Sequence, residues 1–163
     1  MPLPDNRISI IIQADDFSPA EEQEKLSLDP QAGAVITFTG LVRNQNREQP
    51  VYGLFLEHYP GMTEKMLDKI AREAIQRWSL QQVRIIHRIG QLNVGDRIVY
   101  VGVSASHRHE GFQACEFIMD YLKTQAPFWK KERSSQGDSW LEQREIDQEA
   151  AHRWNPSNSS HHE

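Results

Sequence analysis

The run RIVYVGVSAS, Arg97 to Ser106, does most to restrict what this chain can fold into. Branched and aromatic apolar residues follow one another almost without a polar break, which is the composition of a β-strand. The chain passes straight from it into HRHEGFQACEFIMDYLKTQ. There Phe112, Cys115, Ile118, Met119 and Leu122 recur at helical spacing, so a helix with one apolar face is expected from Glu110 to about Thr124. Ala126-Pro127 ends it, because the residue before a proline is pushed out of the helical region.

The rest of the chain reads around that pair. Ile8 to Ile12 is a short β-branched run, a strand. Ser18 as N-cap with Pro19 at the first helical position opens a short helix. GAVITFTGLVR, Gly33 to about Arg43, has the apolar composition of a buried strand. VYGLFLEHY is another strand, closed by Pro60-Gly61. Thr63 then caps a helix in which Met66, Leu67, Ile70, Ala74 and Trp78 recur at helical spacing. QVRIIHRIG is a strand and QLNVGD a turn. FWKKE and SWLEQ read as two short strands around a glycine-containing turn. The segment from Asn155 onward is small and polar and is expected to be disordered. Strands and helices alternate only loosely, so the expected class is α+β with a mostly antiparallel or mixed sheet, in a single domain over residues 1–154.

Composition narrows the function. The 163 residues carry 18 Lys and Arg against 23 Asp and Glu, a net charge of −5, which argues against a general nucleic-acid binder. No apolar stretch is long enough to span a membrane, the N-terminus lacks the pattern of a secretory signal, and the single cysteine, Cys115, allows no internal disulfide. A cytoplasmic setting is the expectation.

On that acidic background the cations gather around one helix. Lys123 borders its apolar face, where a long side chain can reach into a cleft or simply snorkel to water. Lys130 and Lys131 follow the aromatic wall of Phe128 and Trp129. Neighbours on a strand point to opposite faces, so only Lys130, which points with Phe128, can share a cleft with Lys123. Two converging ammonium groups suit acid–base or nucleophilic work; a solvated basic hairpin is the plainer alternative. His107 and Arg108 sit between a strand end and a helix start, a natural anion site or an ordinary capping turn. Arg43 closes a strand, after Gly40, as a substrate clamp or a surface residue. His107 and His109 form an H-x-H pair without an obvious third metal ligand. Cys115 faces the core at mid-helix, which suits structure better than chemistry.

In order, TGLVRNQN, LEHYPGMTEKML, IIHRIGQLNVGD, VYVGVSASHR, FIMDYLKTQAPFWKKE and GDSWLE resemble the large, catalytic subunit family of molybdopterin synthase. The likeness runs from about Gly33 to Glu142, and more loosely back to Ile8 and on to Trp154. It implies an α/β hammerhead-type fold with an additional antiparallel β subdomain. It also implies conversion of cyclic pyranopterin monophosphate to molybdopterin by insertion of two sulfurs as a dithiolene. The sulfur would come from the C-terminal Gly-Gly thiocarboxylate of a small ubiquitin-like partner. The assembly would be a heterotetramer built on a homodimer of the large subunit.

By the same resemblance, Leu41, Val42 and Arg43 match a substrate-contacting strand end, and His107 and Arg108 the phosphate- and pterin-binding pair. Lys123 matches the central catalytic lysine, and Lys130, Lys131 and Glu132 a second catalytic and binding cluster. No cofactor or metal is implied. Two alternatives remain beside it: a non-catalytic phosphate- or nucleotide-binding subunit, and a metal-dependent hydrolase using His107 and His109.

Overall fold

The computed structural model describes residues 3–46, 49–134, 137–141 and 145–156. The elements in chain order are β1 (Ile8–Gln13), α1 (Pro19–Leu26), β2 (Ala34–Leu41), β3 (Gln45–Asn46), β4 (Gln49–His58), α2 (Met62–Arg77) and β5 (Leu80–Arg88). They continue with β6 (Gly90–Asn93), β7 (Arg97–Ala105), α3 (Arg108–Gln125), β8 (Phe128–Ser134), β9 (Gly137–Leu141) and α4 (Glu145–His152).

A four-stranded sheet runs β1-β5-β7-β2; β1 is parallel to β5 and the other pairs are antiparallel. Helices cover both faces. Val83, Ile85, Val99, Val101 and Val103 point to the core beneath α2 and α3, with Phe117 and Ile118 opposite. Ile86 and Tyr100, on the other face, pack with Phe17 and Leu26 from the α1 side. With both faces buried, β7 has no solvent side on which to place polar residues. A second sheet runs β3-β4-β8-β9, with β6 on the free side of β4. The α+β expectation, with an added antiparallel unit, matches this architecture.

Several local expectations need correction. Thr63 does not cap α2; Gly61 does, at φ 87°. Glu64 Oε2 accepts the Gly61 N–H at 2.6 Å, satisfying a donor that the helix start leaves orphaned. QLNVGD is not simply a turn, since Gly90–Asn93 pairs with Gly53–Leu56. Phe112 does not join the buried stripe of α3 and is 60% exposed. The buried positions instead include Ala114, Phe117 and Tyr121 beside Cys115, Ile118, Met119 and Leu122. Finally, β2 is an edge strand rather than a buried one, and it leaves Phe38 and Leu41 exposed. Of the polar tail, Asn155 and Pro156 are described and residues 157–163 lie outside the described residues.

Candidate active site

Lys123 stands in the last turn of α3 and Lys130 at the third position of β8. The two are brought together by the bend between the elements. Phe128 N–H donates to the Ala126 carbonyl at 3.0 Å. The Pro127 carbonyl accepts from Thr63 Oγ1 at 3.0 Å, and the same hydroxyl accepts the Tyr59 N–H at 2.9 Å. Thr63, fully buried, therefore ties the α3–β8 bend to the start of α2.

Beyond the bend lies a cavity of about 510 Å³. Its wall includes Leu41 from the end of β2, Val42 and Arg43 just after it, Lys123 from α3, and Lys130 and Glu132 from β8. The β2 end is shaped by a register shift at Gly40/Leu41, after which Val42 N–H donates to Asp96 O at 2.9 Å and Gly95 N–H donates to Val42 O at 2.8 Å. A side chain at Gly40 would place Cβ 2.7 Å from Val99 Cγ1, so any other residue there would force the Val99 side chain to shift. Phe128, Lys130 and Glu132 alternate onto the cavity side of β8, as period two requires. Glu132 is buried, which sets a carboxylate among the cations.

Not every expected residue is there. Lys131 falls on the opposite face of β8 and does not line the cavity. His107 and Arg108 are exposed at the first residues of α3, while Lys123 is near its last. At 1.5 Å per residue the helix places Arg108 roughly 22 Å from Lys123 along its axis. Within one chain the expected phosphate pair and the expected catalytic lysines do not meet. Among the described residues there is no group of three or more His, Cys, Asp or Glu able to hold a metal, and no helix long and apolar enough to cross a membrane.

Two titratable residues of the cavity wall go beyond the sequence expectation. Asp147 contributes from α4, and nothing in its local sequence signals this. His87 contributes from β5. It occupies the same strand face as Val83 and Ile85, and a histidine at an apolar position of a buried strand was the available signal. Its ring is 3% exposed and stacks on Phe128. Burial pushes its pKa down to about 3; the nearby cations Lys130 and Lys123 act in the same direction, and the hydrogen bond to Arg88 against it. Cys115 is buried at mid-helix, and burial pushes its thiol up to about 12, with the neighbouring Glu116 charge adding to the effect. It carries no thiolate at neutral pH.

The sequence profile of the MoaE protein family matches residues 12–125. The catalytic subunit of molybdopterin synthase from Vibrio cholerae is 57% identical over 150 residues, covering 92% of this chain and 99% of that one. The chain belongs to the MoaE family. The Escherichia coli molybdopterin synthase catalytic subunit is 55% identical over 145 residues, covering 89% of this chain and 97% of its own. A solved MoaE structure from Burkholderia ambifaria superposes with a TM-score of 0.77 at 48% identity, covering 90% of this chain and 97% of that chain. The fold and the role in molybdenum-cofactor biosynthesis expected from the sequence follow from this membership.

Proposed function

We propose that the chain is the sulfur-transferring catalytic subunit of a molybdopterin synthase, and that the Lys123–Lys130 cavity is its reaction chamber. The substrate would be cyclic pyranopterin monophosphate and the sulfur donor the C-terminal thiocarboxylate of a small ubiquitin-like partner, acting in the cytoplasm. One observation carries this reading: Lys123 of α3, Lys130 of β8 and Arg43 just after β2, in an acidic chain, line a single cavity. Both reactants are anions, and both must reach one place. In a partly desolvated cavity, cations attract them more strongly than on open surface. Arg43 suits bidentate binding of a phosphate. Lys123 and Lys130 suit polarising the thiocarboxylate and moving protons. Glu132 supplies a counter-charge that keeps two lysines from repelling each other across the cavity.

The separation of Arg108 from Lys123 bears on assembly. Strand β2 is a free edge with exposed Phe38 and Leu41, an arrangement that invites pairing with another strand. Its Ala34 end pairs with Ala105, next to His107 and Arg108; its Leu41 end is the cavity end. Antiparallel pairing of β2 with β2 of a second copy, about a two-fold axis near Thr37 and Phe38, sets the Ala34 end of one strand opposite the Leu41 end of the other. The second copy's His107 and Arg108 are then carried toward the first copy's cavity. The heterotetramer follows if each copy of such a dimer takes one small subunit.

The test is turnover. The purified chain, mixed with thiocarboxylated small subunit and cyclic pyranopterin monophosphate, should yield the dithiolene product. Binding of the substrate without any sulfur transfer would leave the non-catalytic binding subunit as the better reading.

A further inference from the structure

His87 is buried where a phenylalanine would pack without desolvating a polar atom. Its Nδ1 lies 2.9 Å from the Arg88 carbonyl oxygen. A carbonyl only accepts, so Nδ1 carries the proton and donates. In the neutral ring this leaves Nε2 as a lone-pair acceptor, the remaining polar atom of a side chain that lines the cavity. Arg88 fixes the end of β5 that supplies this carbonyl: its Nε donates to Ala14 O at 3.1 Å and its Nη1 to Arg97 O at 3.0 Å.

Phe128 clamps the ring from the other sheet, with centroids 3.8 Å apart and planes 18° from parallel. Lys130 follows Phe128 by two residues on the same face of β8, roughly 7 Å along the strand, a distance its side chain spans easily. The ring is therefore locked in tautomer by Arg88 and in position by Phe128, next to the lysine of the second sheet. His58, whose charge also acts on this ring, lies 3.3 Å from Glu64 of α2.

We propose that His87 is a positioning residue of the cavity, whose Nε2 accepts a hydrogen bond from the Lys130 ammonium and holds that cation toward the reacting groups. The role rests on the reaction proposed above. Glu132 already supplies the counter-charge in this cavity, and a neutral acceptor orients the ammonium without cancelling more of the positive charge that the anionic reactants need.

Two substitutions separate this from plain packing. His87→Phe keeps the ring and its stack but removes Nε2. His87→Gln loses the stack but keeps an acceptor oxygen near the Nε2 position. Positioning predicts that His87→Phe is the slower enzyme, with kcat down about 10- to 100-fold, the worth of one charge-assisted hydrogen bond, and KM for the pterin little changed. His87→Gln should recover much of that rate despite lower stability. Packing alone predicts the reverse ranking, and observing it would overturn the proposal. Should His87→Phe not fold, a folded His87→Gln that is as slow as a Lys130→Ala protein overturns it equally.

A second readout needs no turnover. In the nitrogen-15 spectrum of the histidine rings, His87 should show a protonated Nδ1 and an acceptor Nε2. The Nε2 signal should move on Lys130→Met and stay in place on Lys131→Met. If the wild-type protein makes no product but this shift is seen, the functional reading fails and the positioning contact stands. If product forms but the signal ignores Lys130→Met, only the positioning contact is lost.

Discussion

The His87 and Phe128 rings stack across the boundary between the two sheets, 3.8 Å apart, and seal one wall of the lysine cavity. The contact joins β5 of the first sheet to β8 of the second, so the cavity depends on the docking of the antiparallel unit against the main sheet. It also commits the protein to burying a neutral imidazole.

That commitment predicts a stability profile. The folded ring titrates near 3 against 6.5 for an unperturbed histidine. Between those values the unfolded chain binds a proton that the folded chain refuses, so stability rises with pH across this window. The contribution is fully present above about pH 6.5 and is lost progressively as pH falls toward 3. At about 1.4 kcal/mol per unit, roughly 2 kcal/mol is gone by about pH 5. Urea unfolding of wild-type and His87→Phe proteins across this range measures it. The wild type should fall more steeply by that amount, and parallel curves would show that His87 is not held neutral by burial.

Lys123→Ala should abolish product formation, a loss of at least about 100-fold, while leaving fold and self-association intact. Lys123 is exposed on its helix at the cavity mouth, so its removal opens no void, and the stability change should stay within roughly 0.5 kcal/mol. Product assay alongside thermal unfolding checks both halves. Near-normal turnover would remove Lys123 from the mechanism.

Cys115→Ser should keep sulfur transfer per folded molecule close to wild type. The thiol is buried in the core against Val101 O at 4.0 Å, and burial holds it protonated, so it is a poor nucleophile for sulfur. A hydroxyl in that apolar site costs about 1–3 kcal/mol of stability. A variant that binds both reactants normally but stalls would mean that sulfur passes through this chain after all.

Much of this site was legible in the sequence, and the failures have physical causes. The alternation of β8 put Lys130 with Phe128 and Lys131 away from it, because a two-residue period is a local property. The termination of α3 at Pro127 was equally local. What closed the cavity was not. Thr63 reads as a cap, yet its hydroxyl is spent on a carbonyl 64 residues away. QLNVGD reads as a turn, yet part of it becomes a strand because β4 is there to pair with it. Strand β2 has the composition of a buried strand yet lies on an edge, because composition does not encode a strand's place in the sheet order. The distance between Arg108 and Lys123 needed only the helix rise, applied to a helix the sequence already indicated.

That distance gives the sharpest prediction about assembly. If His107 and Arg108 serve the cavity of a second copy, Arg108→Ala weakens pterin binding rather than docking of the small subunit. Loss of a charge-assisted bidentate contact is worth about 1.5–3 kcal/mol, or roughly 10- to 150-fold in affinity. The defect should also be separable from Lys123. In a dimer carrying Lys123→Ala on one copy and Arg108→Ala on the other, one cavity has both defects removed to its neighbour and is whole. The other cavity lacks Lys123 and also faces the altered Arg108. At a pterin concentration too low to saturate the Arg108→Ala protein, mixing the two defective proteins under conditions that exchange subunits should therefore restore activity, up to one working cavity per mixed dimer. Each parent dimer, by contrast, carries its defect at both cavities. If Arg108 acted within its own chain, each copy in the mixed dimer would still carry a broken cavity and no activity would return. The recovered rate, followed against mixing ratio, decides between the two arrangements.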